Sequence, residues 1–149
     1  MKSVVIPASL TSYRERMNAP IQKTFQFSLR VPYANVDQMA IVYYAHYLMY
    51  FEMARAEMLR EAGISYPEME KRGVLLPVVQ AHCEYKKSAH YDDLLVVVSR
   101  CSQKGPRLHI EYEVKRGDEV IVTGYTEHVC MSREGKVLRP APELKRLVE

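Results

Sequence analysis

Between positions 23 and 31 apolar and polar residues alternate. Phe25, Phe27, Leu29 and Val31 fall on one side and Gln26, Ser28 and Arg30 on the other. A period of two over this length predicts a strand with one buried face, and Pro32 ends it. After the loop 33–40 the pattern changes. Val42, Tyr43, Tyr44, Ala45, Tyr47, Leu48, Met49, Tyr50 and Phe51 make an almost unbroken apolar run. This predicts a helix over 41–62 with Gly63 at its C-terminal stop. Its first three turns are apolar on nearly every side, and a helix that is hydrophobic all round is a buried one. At 1.5 Å per residue it would be about 30 Å long. A chain of 149 residues buries such a helix only by wrapping a sheet round it.

Ser65-Tyr-Pro67-Glu68 has the form of a capping box with proline in the first turn, so a short helix follows and Gly73 stops it. Alternation then returns. In 74–87, Val79, Ala81, Cys83 and Tyr85 stand opposite Gln80, His82, Glu84 and Lys86. Further strands are predicted at 94–101, 107–115 and 119–131, with a last short piece at Val137-Leu138. Turns at Lys104-Gly105-Pro106, Arg116-Gly117-Asp118 and Glu134-Gly135 separate them, and Pro140 and Pro142 introduce a short terminal helix. The order is strand, long helix, short helix, then four or five antiparallel strands in a meander. This predicts an α+β architecture, one antiparallel sheet with the long helix on one face. The outer sheet face and the edges are left to be covered, so self-association is expected. Residues 21–149 read as a single domain. Residues 1–20 show no clean periodicity and are expected to form a loosely ordered or partly helical extension, with Met17 a candidate start.

Composition narrows the classes of function. Apolar residues make up 48% and charged residues 26%, so ordinary globular material is expected. The net charge of +3 is spread along the chain without a run of like charges, which argues against a nucleic-acid partner. Cys83, Cys101 and Cys130 are odd in number and form no CxxC, so they read as free thiols of a reducing, cytoplasmic compartment. No apolar run is long enough for a transmembrane segment, and the N-terminus lacks the features of a signal peptide.

The chemistry concentrates in residues 33–55. Asp37 stands a few residues before the apolar helix, so a carboxylate and unsatisfied helix N–H groups arrive together beside apolar walls. That combination suits acyl-group chemistry. The carboxylate could attack a thioester carbonyl or act as general base on water, and the residues leave both routes open. The main-chain N–H groups near Tyr43 and Tyr44 are candidate oxyanion donors. Glu52 and Arg55 are three apart on the helix and are expected to pair as a structural brace. His46 reads as a hydrogen-bonded core residue. His128 and Cys130 share a strand face, but no further ligand has zinc spacing, so no metal site is expected. Basic residues available to an anionic ligand are Lys86, Lys87, Arg133, Lys136 and Arg139.

The segment Tyr33-Ala-Asn35-Val36-Asp37-Gln-Met39-Ala40-Ile-Val42-Tyr43-Tyr44-Ala-His46-Tyr47, followed by Glu52-x-x-Arg55, resembles the 4-hydroxybenzoyl-CoA thioesterase family, including the acyl-CoA thioesterases associated with the Tol–Pal system. Leu76-Pro77-Val78, Tyr85-x-x-x-Ala89-x-x-Asp92-Asp93-Leu94 and Thr126-Glu-His128-Val-Cys130 are similar to it as well. The resemblance implies a hotdog fold: a curled antiparallel sheet of five to six strands wrapped round one long central helix. It implies hydrolysis of an acyl-CoA substrate to a free acid and CoA without a cofactor. It also implies a homodimer or homotetramer with its sites at the dimer interface. Asp37 matches the catalytic aspartate, and the Tyr44 N–H is the expected oxyanion donor. Tyr33 matches a tyrosine near the acyl pocket, though it could equally be a packed loop aromatic. Met39, Val42 and Tyr43 are expected pocket walls, and Arg133 is the expected contact for CoA phosphate. Three positions depart from the pattern: Ala40 stands where glycine is usual, Asn35-Val36 where Asp-Thr is common, and Tyr44 where some relatives have histidine. A hotdog protein can also bind acyl-CoA or acyl-carrier protein without hydrolysing it. A dehydratase would need His46 or His128 as its base.

Overall fold

The computed structural model describes residues 22–149. The expectations for residues 1–20 and for Met17 lie outside them. The elements are β1 (Thr24–Arg30), α1 (His46–Glu61), α2 (Tyr66–Lys71), β2 (Val78–Tyr85), β3 (Leu94–Lys104), β4 (Arg107–Arg116), β5 (Glu119–Met131) and β6 (Val137–Leu138). A short 3-10 turn, Pro142–Leu147, ends the chain. All strand pairings are antiparallel, in the order β1-β3-β4-β5-β2, with β6 added beside β5. The curled sheet holds α1 on its inner face, which is the hotdog arrangement the resemblance implied.

The alternation of the sequence reappears as the two faces of this sheet. Phe25, Leu29, Leu95, Val97, Leu108, Ile110, Tyr112, Val114 and Val122 are buried in one core with Tyr47, Tyr50, Phe51, Ala54 and Met58 of α1. The outer face carries matched charges, with Arg100 on Glu113, Arg107 on Glu127 and His109 on Glu127. Ser65 caps α2 as expected, its hydroxyl accepting the Glu68 N–H.

The structure corrects three expectations. The strands after the helices are not a simple meander: β3, β4 and β5 are, but β2 lies on the far edge beside β5. The connection 86–93 has no tight-turn dipeptide. It crosses the end of the sheet, pinned by Lys86 and Lys87 N–H donation to the Ile121 carbonyl and by a buried Ala89. Second, α1 begins at His46 rather than 41, so its 16 residues span about 24 Å. Val42 donates its N–H to Ala89 O and Tyr43 to Asn35 O, which hold 41–43 extended in a bridge with Val36. Third, α1 is not buried all round. Leu48, Met49 and Met53 are 40–43% exposed, because one sheet covers only one side of a helix.

Below α1 runs a chain of hydrogen bonds. Arg55 Nη1 donates to the Tyr112 hydroxyl at 3.3 Å, Tyr112 reaches Thr126 Oγ1 at 2.8 Å, and Thr126 reaches His128 Nε2 at 2.8 Å. His128 Nδ1 is 3.2 Å from Leu76 O. A carbonyl only accepts, so Nδ1 carries the proton and Nε2 accepts. The expected Glu52–Arg55 brace is therefore absent: Arg55 turns inward to a hydroxyl, and Glu52 stays exposed. Burial first, then the Arg55 charge, pushes the His128 pKa down to about 4. The unfolded chain takes up a proton near pH 6.5, and the folded chain does so only near 4. Stability from this residue is complete above pH 6.5 and is lost as pH falls toward 4, up to about 3 kcal/mol. Urea unfolding at pH 7 and pH 4.5 should show a smaller acid-induced loss in His128→Gln than in the parent chain.

Candidate active site

The loop before α1 is a hairpin closed on Asp37. Asp37 N–H donates to Ile41 O at 2.9 Å, and Ala40 N–H donates back to Asp37 O at 2.9 Å. The Asp37 carboxylate accepts the Met39 N–H through Oδ1 at 2.8 Å, an Asx turn that fixes the side chain. Among the described residues Oδ2 has no hydrogen-bond partner, so one carboxylate oxygen is anchored and the other is available. Ala40 sits at φ 61°, in the left-handed region where a Cβ costs about 1–2 kcal/mol. The conformation is the one the family's glycine would adopt freely. Ala40→Gly should therefore raise stability by up to about 1 kcal/mol in a thermal melt.

The loop is held from behind by buried polar atoms. Asn35 is 9% exposed and accepts the Tyr50 hydroxyl at 2.8 Å on its side chain. Burial pushes Tyr50 up to about 12, so it remains a donor at neutral pH. An amide at position 35 thus serves without placing a second negative charge beneath Asp37. The other support comes from 88–93. Burial alone would raise Asp93, but the His90 N–H and the Arg116 guanidinium hold its carboxyl below the usual range. Asp93 O accepts the Val31 N–H, and the Asp92 N–H returns to Val31 O.

At the start of α1 the first hydrogen bonds are i→i+3: His46 N–H to Tyr43 O, Tyr47 to Tyr44 O and Leu48 to Ala45 O. The Tyr43 N–H is consumed by Asn35 O, which removes it as an oxyanion donor. Among the described residues the Tyr44 and Ala45 N–H groups have no acceptor, as expected of a helix start. The Tyr85 hydroxyl donates to Tyr44 O at 3.0 Å and so orients the peptide that carries the Ala45 N–H. Burial pushes Tyr85 up to about 12 as well.

The candidate substrate contacts divide. Tyr33 and Met39 are 75% and 72% exposed at the rim, Tyr33 edge-on to Tyr91. Tyr43 packs against Tyr44, and its hydroxyl is raised first by the hydrogen bond to Tyr44. Val42 belongs to the core at 4% exposure and presents no side chain to the loop. Arg133 lies on the β5–β6 turn, where it donates to Glu70 O of α2. That is the opposite end of the fold from Asp37, since β5 runs from the Tyr85 end of β2 to its Val78 end. His46 is half-buried, edge-on to Tyr43. Sequence reasoning missed Tyr85 and Tyr91, whose role depends on where the 86–93 crossing brings them. Among the described residues no cluster has the ligands for a metal ion, and no helix is long and apolar enough to cross a membrane.

Residues 31–146 match the thioesterase-like superfamily. The chain is similar to the putative acyl-CoA thioesterase YneP of Bacillus subtilis, 35% identical over 71% of this chain and 78% of that one. It is similar to the acyl-CoA thioesterase YbgC of Haemophilus influenzae, 30% identical over 72% of this chain and 80% of that one. Among solved structures it is similar to the DHNA-CoA thioesterase of Staphylococcus aureus, 30% identical with a TM-score of 0.75, covering 83% of this chain and 82% of that one. With its sheet curled round α1 and Asp37 fixed at the helix mouth, the chain belongs to the thioesterase-like superfamily of hotdog-fold proteins.

Proposed function

We propose that the protein hydrolyses an acyl-CoA thioester to a carboxylic acid and CoA. The observation that carries this reading is the placing of a carboxylate oxygen and the Tyr44 and Ala45 N–H groups, all without a partner among the described residues, at one helix mouth. A thioester carbonyl held on those N–H groups places its developing negative charge on preorganised donors. Asp37 then either attacks the carbonyl carbon or takes a proton from an attacking water. In both routes the C–S bond breaks, the sulfur leaves and is protonated, and water supplies the oxygen of the acid. Tyr33 and Met39 form the rim of the site. The tyrosines pushed up by burial serve as donors and walls, not bases.

The active species is a dimer in this reading, and the free edge of β2 supports it. Among the described residues that strand pairs only with β5, and nearly all its side chains are exposed, Val78, Val79 and Tyr85 among them. A long edge with unpaired backbone groups invites a second copy. A two-fold axis perpendicular to the sheet makes the paired edges antiparallel, so the Tyr85 end of one β2 meets the Val78 end of the other. Asp37 then faces the partner's opposite end. The three free thiols fit a cytoplasmic setting.

The test is thiol release from a panel of acyl-CoAs by the purified chain, with mass measured in solution. Hydrolysis by a dimer or tetramer is the expected result. Tight binding of acyl-CoA or acyl-carrier protein with no thiol release from any substrate would make it a binding module instead.

A further inference from the structure

One cavity of the described surface has no residue of the Asp37 loop in its lining. It holds about 760 Å³ between the C-terminal half of α1, the start of α2 and Leu76. Leu59, Ile64, Tyr66, Pro67 and Leu76 supply its apolar wall, and Glu52, Arg55 and Arg60 its charges. Arg60 is neutralised by Glu57. Glu52 is exposed and also borders the shallow groove beside Phe27 and Met49, so it stands on the ridge between the two. Arg55 is different. It is half-buried, it is held by a neutral hydroxyl, and among the described residues no carboxylate lies within 4.0 Å of it. The groups behind it, Tyr112, Thr126 and His128, are all buried and satisfied without it, so among the described residues its remaining N–H donors have no acceptor. A half-buried cation with spare donors on an apolar wall is a site for an oxygen acceptor carried on an apolar body.

We propose that this cavity receives the far end of the acyl group, and that Arg55 selects acyl groups ending in an oxygen function over plain hydrocarbon ones. The proposal rests on the thioesterase reading and on the β2 edge-to-edge dimer. The cavity sits at the Val78 end of β2, through Leu76, and Asp37 sits at the Tyr85 end, through the Tyr85–Tyr44 hydrogen bond. Antiparallel pairing of two β2 edges turns the cavity of one protomer toward the Asp37 of its partner. A thioester held at Asp37 then extends its acyl group across the junction toward Arg55 of the partner subunit. The oxygen function is a carboxylate or a hydroxyl. Tyr112 is a positioning residue that aims the guanidinium.

The experiment compares kcat/KM for two matched pairs, glutaryl-CoA against pentanoyl-CoA and 4-hydroxybenzoyl-CoA against benzoyl-CoA. In the full chain the oxygen-bearing member of at least one pair should win by about tenfold or more, as expected of a charge-assisted hydrogen bond. The pair that shows the preference identifies carboxylate or hydroxyl as the group read. Arg55→Met should bring that ratio to within about threefold of one, and Tyr112→Phe should lower it, mainly through KM. A ratio near one in the parent chain overturns the proposal, as does a ratio that survives in whichever of the two variants folds. If all four substrates are hydrolysed without preference, this proposal alone fails. If none releases thiol, the thioesterase reading falls and takes the proposal with it.

Discussion

Asp37→Asn is expected to lower kcat for acyl-CoA hydrolysis by about 10²–10⁴-fold, the range for loss of a general base or nucleophile. The substitution separates chemistry from structure unusually well here. The Asp37 Oδ1 that accepts the Met39 N–H is replaced by an amide oxygen that accepts the same bond, so the Asx turn survives. The backbone bonds that close the hairpin, Asp37 N–H to Ile41 O and Ala40 N–H to Asp37 O, do not involve the side chain. The thermal midpoint should stay within a few degrees of the parent. KM should change little, because the oxyanion donors and the rim residues Tyr33 and Met39 are untouched. Thiol release followed by a colorimetric reagent, with binding measured alongside, checks both halves. A variant within about threefold of the parent in kcat would remove Asp37 from the mechanism.

Gly124→Ala is expected to be strongly destabilising, the one described glycine whose added methyl meets atoms closer than 3.0 Å. Gly124 lies mid-strand in β5, on the inner face, opposite Tyr112 of β4 and Cys83 of β2. A Cβ there would fall on the His82 carbonyl oxygen and within 2.8 Å of the Phe51 ring. Phe51 cannot retreat, because its ring is stacked at 4.2 Å on Tyr112 and is fully buried. The carbonyl belongs to the β2–β5 ladder. Relief requires moving either the helix or the edge strand, and overpacking of this kind costs about 3 kcal/mol or more. For a domain of this size that corresponds to a fall of roughly 10 °C in thermal midpoint. If the edge strand is what moves, β2 loses its pairing surface, and dimerisation should weaken along with stability. Calorimetry and sedimentation of the same sample read the two effects separately.

The parts of this architecture that depend on local pattern were legible in the chain. Alternation marked β1 and named its inward residues, and the turns at Gly105 and Gly117 bounded β4 and β5. Ser65 and Pro67 marked the start of α2, and Gly63 the end of α1. The Asp37 loop was recognisable because several side-chain types recur at fixed offsets in it. The start of α1 was not legible. Residues 41–43 are as apolar as the helix that follows, and what holds them extended is a carbonyl from Ala89 and another from Asn35. The Glu52–Arg55 pair was favoured by spacing, but spacing cannot see that a buried tyrosine hydroxyl lies under Arg55. Nor could it see that Val42 turns into the core while Tyr44 keeps a free N–H.

By itself the sequence determined the inventory: which strands have a wet face, which helix is apolar, and that a carboxylate precedes that helix. Each of these is written in the identity and spacing of neighbours, because the side-chain periods of helix and strand are local geometry. The tertiary structure decided the assignments that depend on distant partners. It sent β2 to the far edge, unpaired there among the described residues, and it gave the Tyr43 N–H to Asn35 while sparing that of Tyr44. It also turned Arg55 onto a tyrosine hydroxyl, with no carboxylate within 4.0 Å of it among the described residues. Hydrogen bonds and burial are made between residues far apart in the chain, and only the folded chain shows which donors and charges are left over.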